Sequence, residues 1–185
     1  PSMVCMDGFV LSHTSQPLEL PAQQDIDELI PHDPKGHMLL DVESPMTLGS
    51  LNMDGTEGQE VPAYMEHRYF AHEAMNSMRQ IIGKVDEEFA KRCGRSHGGL
   101  IQEYRCEDAE VVMVSMGTLA AQARLVIDEL RNEGYKVGAV KLRVFRPFPT
   151  EELRKLGERV KAFAVLDRDI SYGSGGAIFT ETKAA

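Results

Sequence analysis

Tryptophan is absent, and aromatic residues make up only 6% of the 185-residue chain. Cysteine is scarce too. Cys5, Cys93 and Cys106 are odd in number and far apart, so a disulfide framework and a secreted scaffold are both set aside. No CxxC pair occurs, which excludes a recognisable iron–sulfur motif within the chain. A reducing cytoplasm is the expected compartment. No apolar run approaches the roughly 20 residues that span a bilayer, and no basic stretch leads an apolar one as in a targeting peptide. Positive charge is in deficit, with 20 Lys+Arg against 29 Asp+Glu and a net charge of −9. A nucleic-acid binder needs a basic face for phosphates, so that class is excluded, as is a membrane protein. What remains is 42% hydrophobic, enough for a core without a staple.

The charge is divided unevenly. Residues 1–60 hold eleven acidic side chains against the single cation Lys35, while 61–185 nearly balance. Seven of the nine prolines lie within the first 62 positions. Each removes a backbone donor and biases its predecessor away from helix. Residues 15–62 therefore read as an extended, irregular, acidic connector, with Leu18, Leu20, Ile26, Leu29 and Ile30 among its apolar anchors. Residues 1–14, PSMVCMDGFVLSHT, read as a strand entering a loop. A strand without a partner leaves its backbone unpaired, so this stretch reads as the end of a larger domain.

Residues 63–185 alternate between helix and strand. Met75, Met78, Ile82, Val85 and Phe89 recur at three and four, predicting a helix over 64–92 ended by Gly94. The run AEVVMVSM at 109–116 has the apolar continuity of a strand covered on both faces. A helical stripe of Leu119, Ala123, Val126, Ile127 and Leu130 follows, closed by Gly134. Strands are predicted at 136–145 and 161–167, with a short helix between them capped by Thr150 and carrying Glu151 and Glu152 in its first turn. A last helix begins at 177, and the domain is expected to be incomplete beyond it. The order predicts an α/β fold with a mainly parallel sheet and flanking helices, preceded by the acidic arm. Such sheets work at the carboxyl ends of their strands.

Three groups are candidates for chemistry. Gly173, Ser174, Gly175 and Gly176 follow a strand and open a helix, the topology of a phosphate cradle. Their spacing matches neither GxGxxG nor a P-loop, so a tight turn is the favoured reading and an anion site the alternative. His67 and His72 are five apart, about 140° around a helix, where a metal pair prefers four; no metal site is expected. Ser115, Thr118, Arg143, Arg146, Asp167, Arg168 and Asp169 converge on the carboxyl edge of the sheet. They read as a charge network docking a neighbouring domain, with a ligand site as the alternative. No nucleophile, base and orienting group can be named among them.

Four stretches together resemble the alpha subunit of the 2-oxoacid:ferredoxin oxidoreductases, the family of pyruvate:ferredoxin oxidoreductase. They are MDGFVLSHT at 6–14, EYRCEDAEVVMVSMGT at 103–118, VGAVKLRVFRPFP at 137–149 and AVLDRDISYGSGGAIFTE at 164–181. The resemblance covers nearly the whole chain and is weakest across 33–60. It implies a thiamine-diphosphate enzyme that decarboxylates a 2-oxoacid, forms an acyl-CoA and reduces ferredoxin. It also implies that 1–14 end a pyrimidine-binding domain, that 15–62 connect, and that 63–185 form a domain similar to the C-terminal domain of transketolase. The diphosphate and magnesium site would belong to a beta subunit and the clusters mainly to a delta subunit, with a gamma subunit completing the complex. No catalytic residue is carried over. Asp7, Ser12 and His13 match the family's DGFxxSH loop and are expected to brace the crossing between domains. Pyruvate is the expected substrate, with branched-chain or aryl 2-oxoacids as alternatives. A stand-alone nucleotide- or CoA-binding module is a second reading, and a 2-oxoacid dehydrogenase beta subunit a third.

Overall fold

The computed structural model describes residues 3–30 and 64–185. What was expected of the connector at 31–62 lies outside the described residues. In chain order the elements are α1 Val10–His13, α2 Gln23–Leu29, α3 Tyr64–Cys93, β1 Ile101–Tyr104, β2 Val111–Met116, α4 Gly117–Asn132, β3 Val137–Leu142, α5 Thr150–Gly157, β4 Ala162–Val165 and α6 Ala177–Ala184. None of these helices is long and apolar enough to cross a membrane.

The four strands form one sheet in the order β1-β3-β2-β4. β2 is central and runs parallel to both β3 and β4, with Val111 opposite Val137 on one side and Ala162 on the other. Its continuous apolar character has the predicted cause, since both faces are covered. Val112 and Val114 pack with Val140, Leu142, Leu153, Leu156 and Ile178 on the α5 and α6 face. Met113 packs with Ala139, Ala123 and Ile127 beneath α4 on the other. The fold is α/β and mainly parallel, as the sequence predicts. The observed strands are shorter at their ends than the apolar runs that announce them.

Several elements depart from expectation. β1 pairs antiparallel with β3, an edge strand that sequence pattern missed. IQEY has only four residues and no clean alternation, so its pairing is decided by the neighbour it meets. Residues 3–14 contain no strand. Unpaired extended backbone gains nothing over a turn, and the segment instead closes into the single helical turn α1. The connector is not wholly irregular, for QQDIDEL at 23–29 carries no proline and forms α2. The short helix α5 starts with Pro149 as N-cap rather than Thr150, which makes no capping hydrogen bond. Glu151 and Glu152 do occupy its first turn. In α4 the buried stripe is Ala120, Ala123 and Ile127, while Val126 lies exposed.

The predicted long helix is present as α3, but none of its 30 residues is buried. Its stripe of Met78, Ile82 and Phe89 lines a shallow groove of about 370 Å³ whose other wall is His97, Gly99, Arg143 and Val144. Polar ties hold it there. Arg79 donates to the Phe148 carbonyl and stands 3.8 Å from Glu152. Asp86 accepts from the Ser96 hydroxyl and from the His97 and Gly98 amides, and lies 3.6 Å from Arg143. Two cations at and just beyond the end of α3 tie the 15–30 region to it: Arg92 pairs with Glu28, and Arg95 donates to the Glu19 carbonyl.

Candidate functional site at the carboxyl edge of the sheet

β2 ends at Met116, and Gly117 turns the chain directly into α4 with φ of +60°. That backbone conformation suits glycine, and it aims the first free amides of α4 outward. The Asp7 carboxylate sits on them. Its Oδ2 accepts from the Thr118 amide, and a Cβ at Gly117 would stand 2.4 Å from its Oδ1. Hydrogen bonds from the Thr118 hydroxyl and amide hold the Asp7 carboxyl below its usual range, with Arg168 and Lys141 adding positive charge.

β4 repeats the arrangement on the opposite face. The Asp167 Oδ2 accepts from the Ile178 amide at 2.7 Å and the Phe179 amide at 3.2 Å, in the first turn of α6. Gly176 has no side chain where a Cβ would meet that same oxygen at 2.2 Å. The glycine loop before it is folded on itself. Ser174 donates its amide to the Ser171 carbonyl at 2.8 Å, and Ser171 donates to Gly175 at 3.3 Å. The N-termini of α4 and α6 are thus each taken by a carboxylate of the chain itself.

The other predicted residues are dispersed. Arg146 leaves the edge to pair with Glu181 of α6, its guanidinium 4.3 Å from the Phe145 ring centre. Arg143 turns toward Asp86. Arg168 and Asp169 border a small depression of about 130 Å³ with Asp7, Asp167 and Ile178. Ser115 is fully buried, and its hydroxyl has no hydrogen-bond partner among the described residues. Beside it in register stands Lys141, which lines a cleft of about 540 Å³ together with Asp7, Thr118 and Gln122. Sequence reasoning singled out Asp7 and Thr118 separately but not as a pair. Their separation of 111 positions carries no periodic signal; the available hint was a glycine placed where β2 passes straight into α4.

Cys106 is the buried cysteine, and burial pushes its thiol up. Its Sγ lies 3.3 Å from the Ala139 carbonyl, a core packing position. No group of three His, Cys, Asp or Glu side chains gathers as a metal site would among the described residues.

Two family models match the chain. One, described as pyruvate:ferredoxin oxidoreductase core domain II, covers residues 109–185. The other, described as pyruvate flavodoxin/ferredoxin oxidoreductase, thiamine diphosphate-binding, covers 1–87. A pyruvate synthase subunit PorA of Methanothermobacter thermautotrophicus is 44% identical over 184 residues, all of this chain and 46% of the relative. The PorA subunit of Pyrococcus abyssi is 44% identical over 187 residues, all of this chain and 45% of the relative. A ketoisovalerate oxidoreductase subunit VorA of Pyrococcus horikoshii is 40% identical over 186 residues, all of this chain and 45% of the relative. The chain spans about half the length of the curated relatives it matches.

Proposed function

The chain belongs to the alpha-subunit family of the 2-oxoacid:ferredoxin oxidoreductases, and from that premise we propose that it is a structural part of such a subunit, bracing the domains that surround thiamine diphosphate. The reaction of the complete enzyme is oxidative decarboxylation of a 2-oxoacid to an acyl-CoA and CO2, with the electron pair passed to ferredoxin in the cytoplasm. Pyruvate is the proposed substrate, as the PorA names suggest; the VorA relative keeps a branched-chain 2-oxoacid as the second reading.

One observation carries the bracing role. Asp7 and Asp167 fill the N-termini of α4 and α6 at the carboxyl edge of the sheet, the place where an α/β domain ordinarily binds a phosphate. Neither N-terminus therefore fits a diphosphate, since an anion at either would meet the carboxylate already seated there. The same filling disfavours a stand-alone nucleotide or CoA module. We assign the diphosphate and magnesium to a beta subunit, the iron–sulfur clusters mainly to a delta subunit, and CoA and ferredoxin to the assembled complex with its gamma subunit. The chain's own part is mechanical. A three-layer body holds neighbouring domains so that the cofactor's reactive atom stays oriented and dry.

Calorimetric titration of thiamine diphosphate with magnesium into the 185-residue chain tests this reading. The expected result is no saturable heat at micromolar ligand. Tight binding to this chain alone, or decarboxylation of pyruvate by it alone, would overturn the bracing role.

A further inference from the structure

The DGFVLSH stretch is folded upon itself. Val10 donates its amide to the Gly8 carbonyl at 2.8 Å, and His13 donates to Phe9 at 2.9 Å. The Phe9 amide donates to Ser12 Oγ at 2.9 Å, Ser12 Oγ lies 2.7 Å from His13 Nδ1, and the Phe9 and His13 rings stack with centres 5.4 Å apart. Burial does not hold this turn to the sheet, because Met3, Val4, Met6 and Phe9 are each at least 73% exposed. Among the described residues the one hydrogen bond donor group that joins 3–14 to the α/β layer is Thr118, and its acceptor is Asp7.

We infer that Asp7 is a positioning residue, a single-carboxylate latch that fixes the self-folded DGFVLSH turn onto the β2–α4 junction. The claim rests on the family reading only in joining the cofactor-binding part, within the 1–87 match, to the layer within the 109–185 match. The chemistry of the contact is specific for an anion. The first amides of α4 carry the positive end of the helix dipole, Gly117 clears the approach, and Arg168 and Lys141 face the same carboxylate, with the carboxylates of Asp167 and Asp169 bordering the same depression. A depressed carboxyl favours the docked form above its unfolded range near pH 3.9, and that preference is lost as pH falls through the folded value. The turn is therefore docked near neutral pH and released in acid.

Amide exchange and the NMR resonance of the Thr118 amide, followed in the whole 185-residue chain, test the latch with D7N and D7A. Near pH 7 the amides of 8–14 and of Thr118 are expected to exchange about tenfold faster in D7A, the size of a lost cap, and by a smaller factor in D7N, whose amide oxygen still accepts but carries no charge. The interior of β2 and β3 should keep its protection. On acidification the wild-type Thr118 resonance titrates with Asp7, whereas in D7N it does not move in that range. Unchanged exchange in D7A overturns the latch, and so does a Thr118 titration shared by D7N. If D7A fails to fold, D7N and the wild-type titration decide between the same outcomes. Neither readout uses thiamine diphosphate or a 2-oxoacid, so failure of the latch and failure of the functional reading are separate results.

Discussion

At the residue scale, glycines and carboxylates work in pairs. Gly176 exists as it does because Asp167 needs its space, with 2.2 Å between that oxygen and the position of an added Cβ. Removing the carboxylate in D167A strips the first turn of α6 of its acceptor and should cost about 1 kcal/mol of unfolding free energy, measured by denaturant titration. G176A should cost at least as much, since it expels the same carboxylate. The double variant should cost less than the two singles added together, because each removes the same contact. Additive costs would mean that the two residues act independently. Gly138 answers a different neighbour. A Cβ there would stand 2.7 Å from the Arg105 carbonyl, which is backbone and cannot swing aside. G138A should therefore destabilise the chain by about 1–3 kcal/mol with the helical content of its circular dichroism retained.

At the element scale, α3 is the piece held by polar ties in place of a core. None of its residues is buried, so its docking depends on Arg79 and Asp86 more than on apolar area. R79A should raise amide exchange along α3 severalfold while leaving β2 and β3 unchanged. Equal protection in the variant would show that the apolar groove alone suffices. The loop at 96–98 makes this docking sensitive to pH. Burial alone would raise the Asp86 carboxyl, but the hydrogen bonds from Ser96, His97 and Gly98 outweigh it, and the net direction is downward. Burial lowers His97, and the charge of Arg143 adds to that. A histidine whose folded value lies below 6.5 is neutral when docked, so stability falls as pH drops from about 6.5 through that folded value. Asp86 adds a second loss below about pH 4. Replacing His97 by glutamine should abolish the upper of these two steps and keep the lower. A thermal-melting series from pH 7.5 to pH 3 distinguishes them.

At the scale of the whole molecule, the chain is a three-layer body with a small attached N-terminal turn. Much of this was legible in the residues. The apolar run of β2, the punctuation by Gly94 and Gly134, and the quoted motifs predicted the sheet, α3, α4 and the family, all of them local patterns. The antiparallel edge strand β1 was illegible, because four residues without alternation acquire strand character only from the neighbour they pair with. The α1 turn was misread as a strand for the related reason that Val4 and Val10 carry β preference while lacking a partner. At the candidate edge, the structure gives several of the residues grouped by sequence other company. Arg146 and Arg143 leave for Glu181 and Asp86, and Asp167 turns back on its own following helix. What the sequence by itself determined is the alternation of elements, the excess of negative charge and the family, since each is written in nearest-neighbour spacing or composition. Only the tertiary structure decided that Asp7 meets Thr118 across 111 positions and that the N-termini of α4 and α6 are closed from within. The physical reason is that hydrogen bonds between distant residues depend on how the layers stack, and stacking leaves no period in the chain.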